Sequence, residues 1–83
     1  MSAKTVTYGG RTWCHQQLHA LLKRLAEDGY RVTIRQGRQG AYVVQLRRGM
    51  YERVDCHSTT IWRAMVRAVT RFQEAYNHEP EEA

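Results

Sequence analysis

The sequence predicts an α+β fold of order α-β-β-β-α, a three-stranded antiparallel sheet with two helices packed on one face. Three observations predict it. Leu18, Leu21, Leu22 and Leu25 recur at the i, i+3, i+4, i+7 spacing of one helical face. Between Gly29 and Ser58 the apolar residues alternate with polar ones instead, and Gly37, Gly40 and Gly49 punctuate the alternation as turns punctuate a meander. After Ser58 the helical period returns, with Ala68, Ile61, Phe72, Met65, Tyr76, Val69 and Trp62 on one arc.

Each element can be justified in order. Residues 1–11 form a polar lead, with a short edge strand at 5–8 ahead of the Gly9-Gly10 turn signal. The first helix is expected over 12–28, with Thr12 as its N-cap, Trp13 in its first turn and Gly29 left-handed just past its end. Tyr30, Val32 and Ile34 then mark the first strand, and Tyr42, Val44 and Leu46 the second. A three-residue loop at 48–50 would set Val44 opposite Val54 and Tyr42 opposite Cys56, keeping the apolar residues on one face. Glu52 then falls on the inner face at the sheet's end. Ser58, Thr59 and Thr60 supply N-cap candidates for the second helix, which ends before Pro80. The domain therefore spans 12–78, followed by an acidic tail at 79–83.

One sheet face is left to water, and the alternation places Arg31, Thr33, Arg35, Val43, Gln45, Arg47, Tyr51, Arg53 and Asp55 on it. On the second helix, Arg63, Arg67 and Arg71 form an i, i+4, i+8 stripe opposite the apolar arc. At 83 residues the chain holds one core, so one surface or site carries its function. No run approaches the ~20 apolar residues that span a bilayer, and no apolar leader follows Thr5, so the expectation is a soluble cytoplasmic protein without a membrane partner.

Charge narrows the partner. Lys and Arg number 13 against 8 Asp and Glu, and Glu79, Glu81 and Glu82 lie in the last five positions, so the body is more basic than the net +5. Lysine occurs only at positions 4 and 23. Arginine makes bidentate contacts to phosphate and carboxylate and stacks on bases, so the expected partner is nucleic acid or an acidic or nucleoprotein surface. Arg31, Arg35, Arg38, Arg47, Tyr51, Arg53, Arg63, Arg67 and Arg71 are the candidate contacts, Arg38 at the Gly37-Gly40 hairpin tip and Tyr51 as a stacking ring between Arg47 and Arg53.

Chemistry-bearing constellations are sparse. His15 and His19 stand one helical turn apart and would chelate zinc only if Cys56 or His57 joined them across the core; there is no Cys-x-x-Cys pair, and Cys14 and Cys56 read as small buried hydrophobes. The acids Glu27, Asp28, Glu52, Asp55 and Glu74 form no pair or triad spacing, and adjacent Cys56 and His57 point to opposite sheet faces. No catalytic residue, metal or cofactor is expected. Trp13 and Trp62 are assigned to the core.

The element order over 12–78 resembles the double-stranded-RNA-binding domain. That family grips phosphates with a Lys-Lys-x-Ala-Lys type cluster opening its second helix, where this chain has Ser58-Thr59-Thr60-Ile61-Trp62-Arg63. The resemblance places the remaining contacts on the first helix and the first hairpin loop, at His15, His19, Arg35 and Arg38. The segment Leu22-Lys23-Arg24-Leu25-Ala26-Glu27-Asp28-Gly29-Tyr30 is similar to HicA-type mRNA interferases, but their catalytic histidine in the second strand has no counterpart at Gly40-Ala41-Tyr42. In size and architecture the chain also resembles small phage- and prophage-encoded proteins, including anti-CRISPR-type inhibitors, which implies as the alternative a blocker of a nuclease complex acting by protein contact.

Overall fold

The computed structural model describes residues 5–76. The tail at 79–83 and the expected domain end at 78 lie outside them. In order, the elements are β1 (Val6–Tyr8), β2 (Arg11–Trp13), α1 (Leu18–Glu27), β3 (Tyr30–Gln36), β4 (Tyr42–Arg48), β5 (Glu52–Ser58) and α2 (Ile61–Tyr76). Strands β3, β4 and β5 pair antiparallel in that order, and both helices cover one face. The α+β architecture expected from the alternation is present.

Between the helices and the sheet lies the core. Val44, Leu46, Val54 and Cys56 point inward from the sheet to meet Leu21 and Leu25 of α1 and Met65, Val69 and Phe72 of α2. An aromatic series closes one end: Tyr8 packs edge-on to Tyr30 at 5.8 Å between centroids, Tyr30 to Phe72 at 5.1 Å, and Phe72 against Tyr76 at 4.7 Å. Helix α2 begins where the sequence places it, because Thr60 Oγ1 accepts the Arg63 N–H at 3.2 Å and caps the first turn.

Two expectations are corrected. The first concerns residues 12–17, which do not begin a helix. Gly9 and Gly10 both take positive φ, +64° and +77°, the combination a tight two-residue hairpin turn demands, so Val6 pairs with Trp13 and Tyr8 with Arg11. Thr12 is a strand residue opposite Thr7 rather than an N-cap. Trp13 is buried in the core by this hairpin, and its Nε1 donates to the Tyr8 carbonyl at 2.9 Å. A single 3-10 turn at His15–Gln17 follows before α1 starts at Leu18. The Gln17 side chain there accepts the Cys14 N–H at 3.0 Å, one half of a capping box.

The second correction is the β4–β5 register. The loop is Gly49-Met50-Tyr51, so Leu46 faces Val54, Val44 faces Cys56 and Tyr42 faces Ser58. This register lies two residues from the expected one and keeps every apolar residue inward. It also satisfies Glu52, which now sits opposite Arg48 and accepts from its Nε at 2.7 Å. Arg48 Nη1 further donates to the Tyr30 hydroxyl at 3.0 Å, and its guanidinium lies 5.1 Å from the Phe72 ring, so this pair seals the aromatic end of the core.

Candidate nucleic-acid interface

The uncovered face of the sheet is built from alternate residues of three strands, and the register stacks them in rows. Arg31 lies opposite Arg47, and Arg47 opposite Arg53, giving a row of three arginines across β3, β4 and β5. The next row is Thr33, Gln45 and Asp55, and the one beyond it Arg35, Val43 and His57. Val43 is buried although it sits on this face, and a side chain at Gly37 would come into contact with its Cγ2.

One carboxylate stands among these groups. Asp55 meets Arg53 through two contacts, Nε to Oδ1 at 3.1 Å and Nη2 to Oδ2 at 3.2 Å. The Arg53 hydrogen bond is the main cause holding the Asp55 carboxyl below its ordinary value, with Gln45 and Arg35 adding to it. Among the described residues, Arg31, Arg35, Arg38 and Arg47 carry no ion pair. Like charges directly opposite on adjacent strands are destabilising, so the row places three mutually repelling guanidinium groups side by side.

At the Arg31–Arg47 end the face dips into a hollow of about 460 Å³ lined by Gly29, Arg31, Arg47, Gly49 and Met50. Two guanidinium groups beside a hollow suit an oxyanion such as phosphate. The neighbouring turn carries Met50 and Tyr51, 86% and 87% exposed, side by side beyond the row. Tyr51 therefore belongs to the turn tip and not, as expected, to the strand between Arg47 and Arg53. Met50 was not anticipated; its signal was an apolar pair, Met50-Tyr51, placed directly after a turn glycine. At the opposite end Arg38 lies exposed in the β3–β4 turn, as the sequence indicates.

The second basic surface lies on α2, where Arg63, Arg67 and Arg71 are all exposed. It joins the first at the outer edge of β5: Arg67 Nη1 donates to the His57 carbonyl at 3.4 Å, while the His57 side chain belongs to the open face. Cys56, its inward neighbour, is buried, and burial pushes its thiol pKa up against the lowering influence of Arg71 and Arg67. Cys14 is half-buried, and both cysteines are free thiols. His15 and His19 are exposed and straddle the joint between the 3-10 turn and α1 rather than sharing one regular helix face. Among the described residues no three His, Cys, Asp or Glu side chains cluster in a way that could hold a metal. No helix among them is long and apolar enough to cross a membrane. Compared with protein-family models, with curated proteins and with solved structures, the chain matches none.

Proposed function

We propose that the chain is a non-enzymatic nucleic-acid-binding domain that holds the phosphate backbone of a single strand across the open sheet face. The observation that carries this reading is the cross-strand row Arg31–Arg47–Arg53, two of whose members have no carboxylate partner among the described residues. Neighbouring strands lie about 4.8 Å apart, so the row offers guanidinium groups over roughly 10 Å, the reach of successive phosphates along an extended strand. Arg35 and Arg38 continue the track along β3 into the turn. Tyr51 stands at the other end, free to stack on an unpaired base, a contact that duplex does not offer.

This reading predicts affinity with little sequence preference and a steep dependence on salt. The test is fluorescence anisotropy of the tag-free protein with single-stranded RNA, single-stranded DNA and their duplexes from low salt to ~150 mM. Three to four neutralised phosphates give a slope of log K against log salt of roughly −2 to −3 for single strands. Tyr51→Ala should weaken single-strand binding about tenfold and leave duplex binding unchanged. Absence of binding at ~150 mM salt would overturn the proposal and direct the face toward an acidic protein surface.

A further inference from the structure

Strand β5 is an outer strand of the sheet, and its outer edge, to which no strand pairs among the described residues, runs alongside α2. In an antiparallel ladder every second residue turns both its N–H and C=O away from the partner strand. The Tyr76 hydroxyl meets the Arg53 N–H and C=O, each at 3.4 Å, and Arg67 meets the His57 carbonyl at the same distance. Arg53 and His57 therefore face outward, and Asp55 between them does too. Among the described residues nothing bonds the Asp55 N–H or C=O. The contacts on either side of it are long, beyond the usual range of about 2.7–3.2 Å, and easily displaced.

Beside this edge runs a groove of about 620 Å³ whose lining includes Thr5, Asp55, His57, Arg67, Arg71 and Glu74; Asp55 is neutralised by Arg53, which leaves Arg67 and Arg71 against the single carboxylate of Glu74. Arg67 and Arg71 stand one helical turn apart on its far wall and carry no ion pair among the described residues. We propose that this groove binds an extended acidic peptide of a protein partner, which adds a strand to the sheet at β5. Its backbone pairs with the outward groups of Arg53, Asp55 and His57, and acidic side chains on alternate residues meet Arg67 and Arg71. A second copy of the chain fits poorly. Two-fold pairing centred on Asp55 would set Asp55 opposite its own copy and bring both sets of Arg67 and Arg71 together. The proposal uses the backbone edge of β5 and the α2 arginines rather than the side chains of the arginine row, Arg53 being common to both, so the peptide can bind whether or not nucleic acid does.

The probe is a fluorescein-labelled decapeptide of alternating Val and Glu, with the same peptide methylated on its backbone nitrogens as control. Methylation keeps the charge and removes the donors that strand addition requires. Wild-type protein should bind the first peptide, and the Asp55 amide should exchange more slowly with solvent in the complex. The methylated peptide, and the Arg67→Glu/Arg71→Glu variant with the unmethylated one, should each bind at least about tenfold more weakly. Equal binding of the two peptides would reduce the effect to charge attraction and overturn the proposal, as would an unchanged Asp55 exchange rate. Self-association of the free chain that protects the same amide would assign the edge to a second copy and overturn it as well.

Discussion

The Tyr8 hydroxyl donates to Asp28 Oδ2 at 2.5 Å, tying the β1–β2 hairpin to the residue that caps the end of α1. Asp28 also receives Arg24 Nε at 3.2 Å, so one carboxylate joins the hairpin and the helix. Burial first, and then this bond, push the Tyr8 phenol well above its ordinary pKa of 10.0. The same bond is the main cause holding the Asp28 carboxyl below its ordinary 3.8.

The two shifts act on opposite flanks of the pH profile. A carboxyl whose folded value is depressed contributes stability above its unfolded value, and loses it as pH falls below 3.8 through the folded one. A phenol whose folded value is raised contributes stability below pH 10.0 and loses it as pH rises toward the folded one. Tyr8→Phe should therefore lower Tm at neutral pH and flatten both flanks, as followed by thermal denaturation from about pH 2 to 11. A variant profile running parallel to the wild type would show that the bond does not contribute in solution.

The arginine row predicts a salt effect on the free protein. Screening weakens repulsion among Arg31, Arg47 and Arg53, so Tm should rise between low salt and ~0.5 M NaCl. Replacing the central member, Arg47→Thr, should raise low-salt stability by about 0.2–1 kcal/mol and remove most of that salt response. The same variant should reduce the salt slope of single-strand binding by about 0.7. A stabilising substitution that weakens binding is what an arginine retained for its ligand produces.

Phe72 tests the core. It is fully buried and packs edge-on to Tyr30 and at a tilt against Tyr76 while the Arg48 guanidinium lies over it. Phe72→Ala should cost about 3–5 kcal/mol, read from the denaturant midpoint, a large share of the stability of a domain this size. Tyr76→Phe keeps the packing and removes only the exposed hydroxyl contacts to Arg53, so it should stay within about 0.5 kcal/mol of the wild type.

What was legible in the sequence follows from how many residues repeat each signal. Helix α2 offers four turns of apolar spacing with a threonine cap, and its start is plain; the three sheet strands carry seven residues each and are plain too. The hairpin at Val6–Trp13 has three-residue strands, so Val6, Tyr8 and Trp13 are too few to separate period 2 from the start of a helix. The β4–β5 register was open by two residues, because either loop keeps the apolar set inward. That choice decided the candidate site: the expected loop places Arg47 opposite Tyr51, whereas the observed one places it opposite Arg53 and sends Tyr51 to the turn. The arginines were legible as a list, but their convergence into a row depends on the position of a three-residue turn, which patterning does not set.

Gln39 sits in the β3–β4 turn at φ +60°, left-handed backbone that disfavours a side chain, between Arg38 and the likewise left-handed Gly40. Left-handed geometry costs a non-glycine residue about 1–2 kcal/mol, part of which glycine regains and part of which its freer unfolded chain offsets. Gln39→Gly should accordingly stabilise the protein by about 0.5 kcal/mol and raise Tm by a few degrees. The turn is also closed by Gly37 N–H to the Ala41 carbonyl at 2.7 Å and Ala41 N–H to the Arg38 carbonyl at 3.2 Å, and neither bond involves the Gln39 side chain. Arg38 should therefore keep its place, and single-strand affinity should change less than twofold while Arg38→Ala weakens it. A Gln39→Gly variant that gains stability but loses affinity by more than this would show that the glutamine side chain, rather than Arg38 alone, contacts the ligand at the tip.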